Sequence, residues 1–226
     1  MSASPCSLVR VPSDVDSSGL TSFTGWDVLG GSAAEHGAAE VFERSALRDP
    51  DMESRYELLA VASRGFRPPR FLTTADLSDE ASAGRPHEAD VGGNGGHEGV
   101  RQVWSLLYRR VAETQPRTVV PYAIYLLGVN PPDEMTDEEL EVFNDFYTNV
   151  HLPEVAERRH ALRAERYELV REVRAPYNGA PRFVAIYEVD EEAASRRRHT
   201  GPPYVTGPEV WQGHKTPWRL WYRRLG

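Results

Sequence analysis

The sequence predicts an α+β protein that consists of two copies of one small unit, because three groups of residues recur in the same order. The string Arg-Tyr-Glu-Leu at 55–58 recurs at 166–169, 111 residues later. The block that begins at Trp104 resembles the block that begins at Trp218, 114 residues later. The Glu-Val pair at 40–41 recurs at 154–155. A repeat of this length is too long for a solenoid unit. We therefore predict two fused domains, residues 1–116 and residues 117–226.

Composition excludes several classes of protein. The 226 residues include 26 basic and 34 acidic side chains, and a net charge of −8 argues against binding to nucleic acid. No apolar run approaches the roughly 18 residues that a membrane helix needs. The one cysteine, Cys6, excludes an intramolecular disulfide and a cysteine-rich zinc site. Residues 1–10 lack the pattern of a secretory signal. We expect a bacterial protein of the cytoplasm that binds neither nucleic acid nor membrane.

Strands are predicted at both ends of each copy. Residues 8–11 and 122–129 are apolar and β-prone, and each run ends in a cluster of Pro and Asp. Residues 167–174 alternate in polarity, 176–179 form a turn, and 182–189 return as the second strand of a hairpin. Alternate residues of the last predicted strand point to one face, namely Trp218, Leu220 and Tyr222.

One helix is predicted with defined ends. Thr136 and Glu139 have the spacing of a capping box, and the helix is expected to continue to about residue 150. Apolar residues recur on one face of it, namely Leu140, Phe143, Tyr147 and Val150. Pro153 is expected to interrupt the helix, and a more polar helical stretch is expected to run to about residue 164.

The segments between the hairpin and the last strand of each copy, 78–99 and 196–213, lack helical periodicity. We expect loops or short helices there, which are often mobile or functional. The first segment contains histidine and carboxylate side chains at 87–90 and 97–98. They fit no known metal template, so a solvated loop is the favoured interpretation. The run Arg-Arg-Arg-His at 196–199 is expected to be exposed, and a ligand carboxylate or phosphate is the alternative.

The order strand, helix, strand, strand, optional helix, strand is that of a ferredoxin-like unit, in which one face of the sheet has no helices. Two such faces packed against each other would make a pseudo-dimeric α+β barrel within one chain. The string FNDFYTNVHLPEVAERR at 143–159 resembles the Phe-x-x-Tyr-Tyr-x-x-x-His-x-Pro signature of EthD-like proteins of the dimeric α+β barrel superfamily. Phe146 stands where that signature often has its first tyrosine. The first copy retains His36 beside residues 40–41, with Ser32 in the place of Tyr147.

The resemblance implies a fold more than a reaction. Barrels of this superfamily carry out cofactor-free oxygenation, dehydration, cyclisation and haem breakdown, and some have no established activity. We predict His151 as a general acid or base and Tyr147 as a hydrogen-bond donor, with His36 as the equivalent imidazole of the first copy. The alternative is that His151 bridges the helix to the sheet and that Tyr147 belongs to the core.

Aromatic side chains on the predicted elements are candidates for a binding cavity. A planar apolar ligand could stack on Phe143, Phe146, Tyr167, Trp218, Tyr222, Trp104 and Tyr108. The alternative for each of them is an ordinary core position.

The predicted function is that of a cofactor-independent enzyme of secondary metabolism. It would act on an aromatic or polyketide-like small molecule by proton transfer, as a dehydratase or cyclase does. Three alternatives stay open: a ligand-binding or carrier protein without chemistry, a cofactor-free oxygenase, and a haem protein with His151 as axial ligand. We expect no cofactor and no metal, a small apolar or aromatic ligand, and a monomer or homodimer.

Overall fold

The computed structural model describes residues 19–28, 42, 54–63, 66–77, 100–174, 176, 178–196 and 204–226. Helices and antiparallel strand pairs are both present, which confirms the predicted α+β class. Contacts divide the chain into two compact units. The C-terminal unit includes Arg110–Glu168 and Pro181–Arg219, and the N-terminal unit includes the described residues of Asp16–Arg109 together with Leu169–Ala180 and Leu220–Gly226. The domain boundary at 116/117 stays a prediction.

The N-terminal unit is an antiparallel sheet. Its strands are β1 (Leu20–Val28), β2 (Ser54–Val61), β3 (Phe71–Leu77), β4 (Val100–Glu113) up to Arg109, and the end of β8 (Lys215–Arg224). Strand β1 pairs with β3 and β4, and β2 pairs with β3 and β8. Its core contains an edge-on contact between Phe23 and Tyr108, whose ring centroids are 5.1 Å apart. Strand β1 was not predicted, and the predicted strand at 8–11 lies outside the described residues.

The sheet of the C-terminal unit contains β5 (Ala123–Asn130), β6 (Arg163–Arg174) up to Glu168, and β7 (Phe183–Val189). Strand β7 pairs antiparallel with both β5 and β6, so the predicted hairpin is confirmed. Strand β6 begins four residues earlier than predicted, and its first five residues are all buried instead of alternating. All of β7 is buried, as is β5 except its last residue. The centre of this sheet is therefore covered on both faces.

The predicted capping box is present at the start of α1 (Asp137–Phe146). Thr136 Oγ1 accepts a hydrogen bond from the Glu139 N–H at 3.2 Å, and the Glu139 carboxylate accepts one from the Thr136 N–H at 2.8 Å. Two donors at the helix start are thereby satisfied, at a gain of typically about 1 kcal/mol for the cap.

The end of the helix differs from the prediction. A π-helical turn, Tyr147–His151, joins α1 to α2 (Leu152–Arg158), and Leu152 N–H donates to Tyr147 O. The wider turn adds one residue, so His151 rather than Val150 follows Tyr147 on the buried face. Val150 is 37% exposed, and its predicted place in the apolar stripe is wrong.

The predicted interruption at Pro153 is also wrong. Pro153 occupies the first turn of α2, where a missing N–H is tolerated, so the helix continues past it. The chain leaves the helix after Arg158 rather than near residue 164, and His160 adopts a positive φ of 51°.

Two short helices follow the hairpin, α3 (Glu191–Ser195) and α4 (Glu209–Gln212). The second agrees with the expectation of loop or short helix in 196–213. The segment 78–99 lies outside the described residues, together with the histidines and carboxylates at 87–90 and 97–98. Among the residues that are described, no helix is long and apolar enough to cross a membrane, and no cluster of metal-ligating side chains is found.

Candidate active site

The two residues predicted to carry chemistry lie together in the C-terminal unit. Tyr147 begins the π turn and His151 ends it, so both side chains lie on the buried side of the helix. Their ring centroids are 5.8 Å apart. The imidazole is 8% exposed and the phenol is fully buried. The π turn therefore keeps the imidazole on the face of Tyr147 and turns Val150 away from that face.

Aromatic rings enclose the imidazole. Trp211 of α4 lies 4.7 Å from it between ring centroids, Tyr204 lies 5.5 Å away, and Phe146 lies 6.2 Å away. Gly207 permits this packing, because a Cβ atom there would lie 2.6 Å from Trp211 Cδ1. Residues 204–214 thus cover His151. Neither Trp211 nor Tyr204 was predicted, although a tryptophan in an otherwise polar segment was a usable signal.

The enclosure sets the charge of His151. Burial, together with repulsion from the neighbouring His214 and Arg158, lowers its pKa to about 4. The imidazole is therefore neutral at pH 7. One ring nitrogen of a neutral imidazole carries a proton and the other carries a lone pair.

Tyr147 is held by rings and by a cation. Phe143 contacts it edge-on, with centroids 6.1 Å apart, and the guanidinium carbon of Arg166 lies 4.4 Å from its ring. Burial raises the pKa of Tyr147 well above its ordinary value of 10, and Arg166 offsets part of that effect. The hydroxyl stays protonated and acts as a donor.

Several buried polar atoms of this region have no hydrogen-bond partner among the described residues. They include Tyr147 Oη, His151 Nδ1, Tyr187 Oη and Arg166 Nε. Buried polar atoms are nearly always bonded, and an unsatisfied one costs about 1–3 kcal/mol. The arrangement supplies a donor hydroxyl and an imidazole that the rest of the unit does not use.

The other predicted residues occupy different places. Phe143 and Phe146 belong to the aromatic enclosure, and Tyr167 and Trp218 are buried elsewhere in the same unit. Three lie buried in the N-terminal unit, namely Trp104, Tyr108 and Tyr222. The Tyr222 hydroxyl donates to Pro69 O at 3.0 Å, as in a satisfied core. His36 lies outside the described residues.

A separate cleft of about 300 Å³ opens in the C-terminal unit beside α1. Asn144, Asp145, Thr148 and Asn149 of the helical segment line it together with Arg166 and Phe183 of the sheet. Neither Tyr147 nor His151 lines it. Sequence reasoning noticed Arg166 only as part of a repeated string.

The surroundings of His151 do not fit a haem group. An axial histidine needs a flat, open space on the side of its coordinating nitrogen. The rings of Phe146, Tyr147, Tyr204 and Trp211 occupy the space around this imidazole, all with centroids within 6.2 Å of it. We derive no step through haem.

No family model and no curated protein matches the chain. Solved structures do match. An anthrone oxidase-like protein superposes with a TM-score of 0.51 at 11% identity, over 97% of this chain and 95% of that one. A mutant chlorite dismutase from Candidatus Nitrospira defluvii, in complex with cyanide, gives a TM-score of 0.49 at 10% identity, over 94% and 92%. At such low identity the first of these likenesses shows the fold alone, and it agrees with the predicted dimeric α+β barrel class.

Proposed function

We propose that the C-terminal unit is a cofactor-independent enzyme that moves a proton on an aromatic or polyketide-like ketone, with Tyr147 and His151 as the acting groups. The observation that carries this proposal is the pair of buried, unpartnered polar atoms, Tyr147 Oη and His151 Nδ1, on rings 5.8 Å apart. A substrate oxygen and a substrate C–H bond would complete both, and the proposal therefore includes displacement of the covering rings of Tyr204 and Trp211 when the substrate binds.

The chemistry follows from the two charge states. Neutral His151 takes a proton from a carbon that is next to the carbonyl or conjugated with it through the ring, and the electron pair moves onto the carbonyl oxygen. Tyr147 donates a hydrogen bond to that enolate oxygen. An imidazolium with a pKa of about 4 is a stronger acid than an ordinary imidazolium, so it readily returns the proton to carbon or to a leaving hydroxyl, while the neutral imidazole is a correspondingly weaker base. Enolisation, dehydration and cyclisation share this step.

The probe for this proposal is anthrone in buffered D2O, because its C10–H bond lies across the ring from a carbonyl and the fold likeness includes an anthrone oxidase-like protein. We expect deuterium to enter C10 faster with the protein than with buffer. His151→Gln and Tyr147→Phe should each lower the protein-dependent rate by about 100-fold or more, as is usual for loss of an acid–base group. Tyr222→Phe, in the N-terminal unit, is the matched control. Wild-type exchange in both site variants would sink the proposal.

The same reaction separates the two nearest alternatives. A cofactor-free oxygenase would consume one O2 for each anthrone and release anthraquinone and water, which an oxygen electrode and absorbance record. A carrier protein would bind anthrone and accelerate neither exchange nor oxygen uptake. The likeness to the anthrone oxidase-like fold makes the oxygenase the second candidate.

The fused duplication of an EthD-like unit belongs to the same proposal. It is supported by one packing contact that occurs in each unit. Gly25 lies against Pro69 and Trp104, and Gly128 lies against Pro181 and Trp218. In both cases a Cβ on the glycine would lie 2.6 Å from the proline Cγ.

A further inference from the structure

We propose that the cleft beside α1 binds the carboxylate of a small organic monoacid on the guanidinium of Arg166. This is a second ligand site in the C-terminal unit. It does not rest on the function proposed for Tyr147 and His151, because its evidence and its readout are binding alone.

The first observation is the position of Arg166. Its side chain is buried between two rings, with the guanidinium carbon 4.4 Å from the Tyr147 centroid and 4.3 Å from that of Phe183. Two of its five N–H groups have acceptors among the described residues: Nη1 donates to Thr148 Oγ1 at 2.8 Å, and Nη2 donates to Asn144 Oδ1 at 2.5 Å. The buried Nε has no partner there. The planar cation is held in place with donor capacity remaining.

The second observation is that this cation has no carboxylate in direct contact, although the nearby Glu168 stabilises its charge from further away. Within the described part of the chain, the side-chain acceptors on the Arg166 nitrogens are the neutral Thr148 Oγ1 and Asn144 Oδ1, and no carboxylate forms an ion pair with it. A buried charge is costly unless it is paired, and burial lowers the pKa of Arg166 to about 10. The rings and two neutral acceptors offset only part of that cost. A carboxylate is the group that matches a guanidinium geometrically, through parallel N–H donors.

The third observation is that the acidic residues of the cleft have other partners. The Glu168 carboxylate accepts from Arg182 at 3.2 Å, and the Asp145 carboxylate accepts from the Asn149 amide at 2.8 Å. Neither carboxylate is hydrogen-bonded to Arg166, whose remaining donors are therefore available to a ligand. They also give the rim a negative potential, which disfavours a second negative charge on that ligand. A monoanion is therefore favoured over phosphate or a dicarboxylate.

The remaining surfaces define the rest of the ligand. The cleft volume of about 300 Å³ is at the lower end of the usual range for small-molecule sites. Phe183 and Val111 supply apolar surface, and Asn149 supplies an exposed amide at the rim. A compact aromatic or short aliphatic acid fits this combination.

Titration calorimetry on the full chain, with benzoate, benzamide and inorganic phosphate as probes, tests the proposal. We expect benzoate to bind and the isosteric neutral benzamide to bind at least tenfold more weakly, as phosphate should. Arg166→Gln should weaken benzoate at least tenfold. Arg196→Gln removes an exposed arginine of the same unit that pairs with Glu192 and does not line the cleft, so it should change the affinity less than twofold.

Because Arg166 is buried, its variant can fail to fold. Asn149→Trp is the second test of the carboxylate site. The tryptophan side chain would fill the mouth of the cleft from an exposed helix position and leave Arg166 in place. It should abolish benzoate binding while near-UV circular dichroism stays native. Equal binding of benzamide and benzoate, or unchanged benzoate binding in Asn149→Trp, would overturn the proposal. His151→Gln should still bind benzoate, which separates failure of this site from failure of the proposed enzyme.

Discussion

In both units a glycine packs closely against a proline and a tryptophan, but the buried polar groups of the two units are hydrogen-bonded to different extents. In the N-terminal unit the indole N–H of Trp26 donates to Thr73 Oγ1 at 3.2 Å, and the hydroxyl of Tyr222 donates to Pro69 O at 3.0 Å. In the C-terminal unit the buried Tyr147 and Tyr187 hydroxyls and His151 Nδ1 have no partner among the described residues.

This difference indicates where the chain retains polar groups at the expense of stability. An unsatisfied buried group costs about 1–3 kcal/mol, whereas a hydrogen-bonded one contributes about 1 kcal/mol. The described residues of the N-terminal unit follow the rule for a core. The C-terminal unit departs from that rule at several buried atoms, and two of these belong to Tyr147 and His151, the residues with acid–base chemistry. Such departures are typical of functional sites.

The largest expected difference between the units is in their response to acid. His151 has a pKa of about 4 when folded and one near 6.5 when unfolded. As the pH falls from 6.5 to 4, the unfolded chain binds a proton that the folded chain does not, so stability falls. The loss amounts to about 3 kcal/mol over that interval, at 1.36 kcal/mol per pKa unit. Above pH 6.5 this contribution is constant.

Urea unfolding at a series of pH values measures this effect as a difference between variants, since carboxylates also titrate in this range. His151→Gln should be less sensitive to acid than the wild type by about 3 kcal/mol between pH 6.5 and 4. His160→Asn changes an exposed imidazole in the same unit and should follow the wild-type curve. Identical pH slopes for His151→Gln and the wild type would contradict the buried, neutral imidazole.

A smaller effect tests what the units share. The distances that an alanine Cβ would have at Gly25 and at Gly128 are nearly the same. In each case it would lie 2.6 Å from a proline Cγ and about 3 Å from a tryptophan Cβ. Neither neighbour is a flexible chain end, so each substitution should cost about 1–3 kcal/mol as overpacking. The urea midpoints of Gly25→Ala and Gly128→Ala should fall by similar amounts. Gly226→Ala, with nothing within 4 Å, should not change the midpoint. A large loss of stability in only one of the two variants would contradict the inference that the two glycine contacts are equivalent.

The elements that could be predicted from sequence are those with local signals. The capping box at Thr136 and the hairpin strands depend on neighbouring residues and on alternation, and both were confirmed. Strand β1 was missed because its sequence, LTSFTGWDV, is half polar and contains a glycine. That glycine is explained only by its contact with Pro69 and Trp104, which are distant in sequence.

The candidate site shows the same limit. The spacing of Tyr147 and His151 predicted that they share a helix face, and the family resemblance drew attention to them. The π turn was not predicted, because a helical periodicity of 3.6 assigns Val150 to the buried face. Tyr204 and Trp211 reach His151 from 53 and 60 residues further along the chain, and no periodic pattern indicates such a contact.

The smallest effect distinguishes the units most directly, because a Tyr→Phe substitution should change the stability of the protein in opposite directions in the two units. Tyr222→Phe removes a hydroxyl that donates to Pro69 O, so it should destabilise the protein by about 1 kcal/mol. Tyr147→Phe removes a hydroxyl with no partner among the described residues, so it should be neutral or stabilising by up to about 1 kcal/mol. Urea midpoints with unchanged slopes measure both.

Combined with the anthrone exchange rate, this pair also separates function from structure. If Tyr147 were only a core residue, its hydroxyl would have a hidden partner, and Tyr147→Phe would lose stability as Tyr222→Phe does. If it acts on a substrate, Tyr147→Phe keeps or gains stability and loses exchange, while Tyr222→Phe loses stability and keeps exchange. If both variants lose stability and both keep exchange, the proposed distinction between the units is wrong. The Tyr147 hydroxyl would then be a hydrogen-bonded core group, as the Tyr222 hydroxyl is.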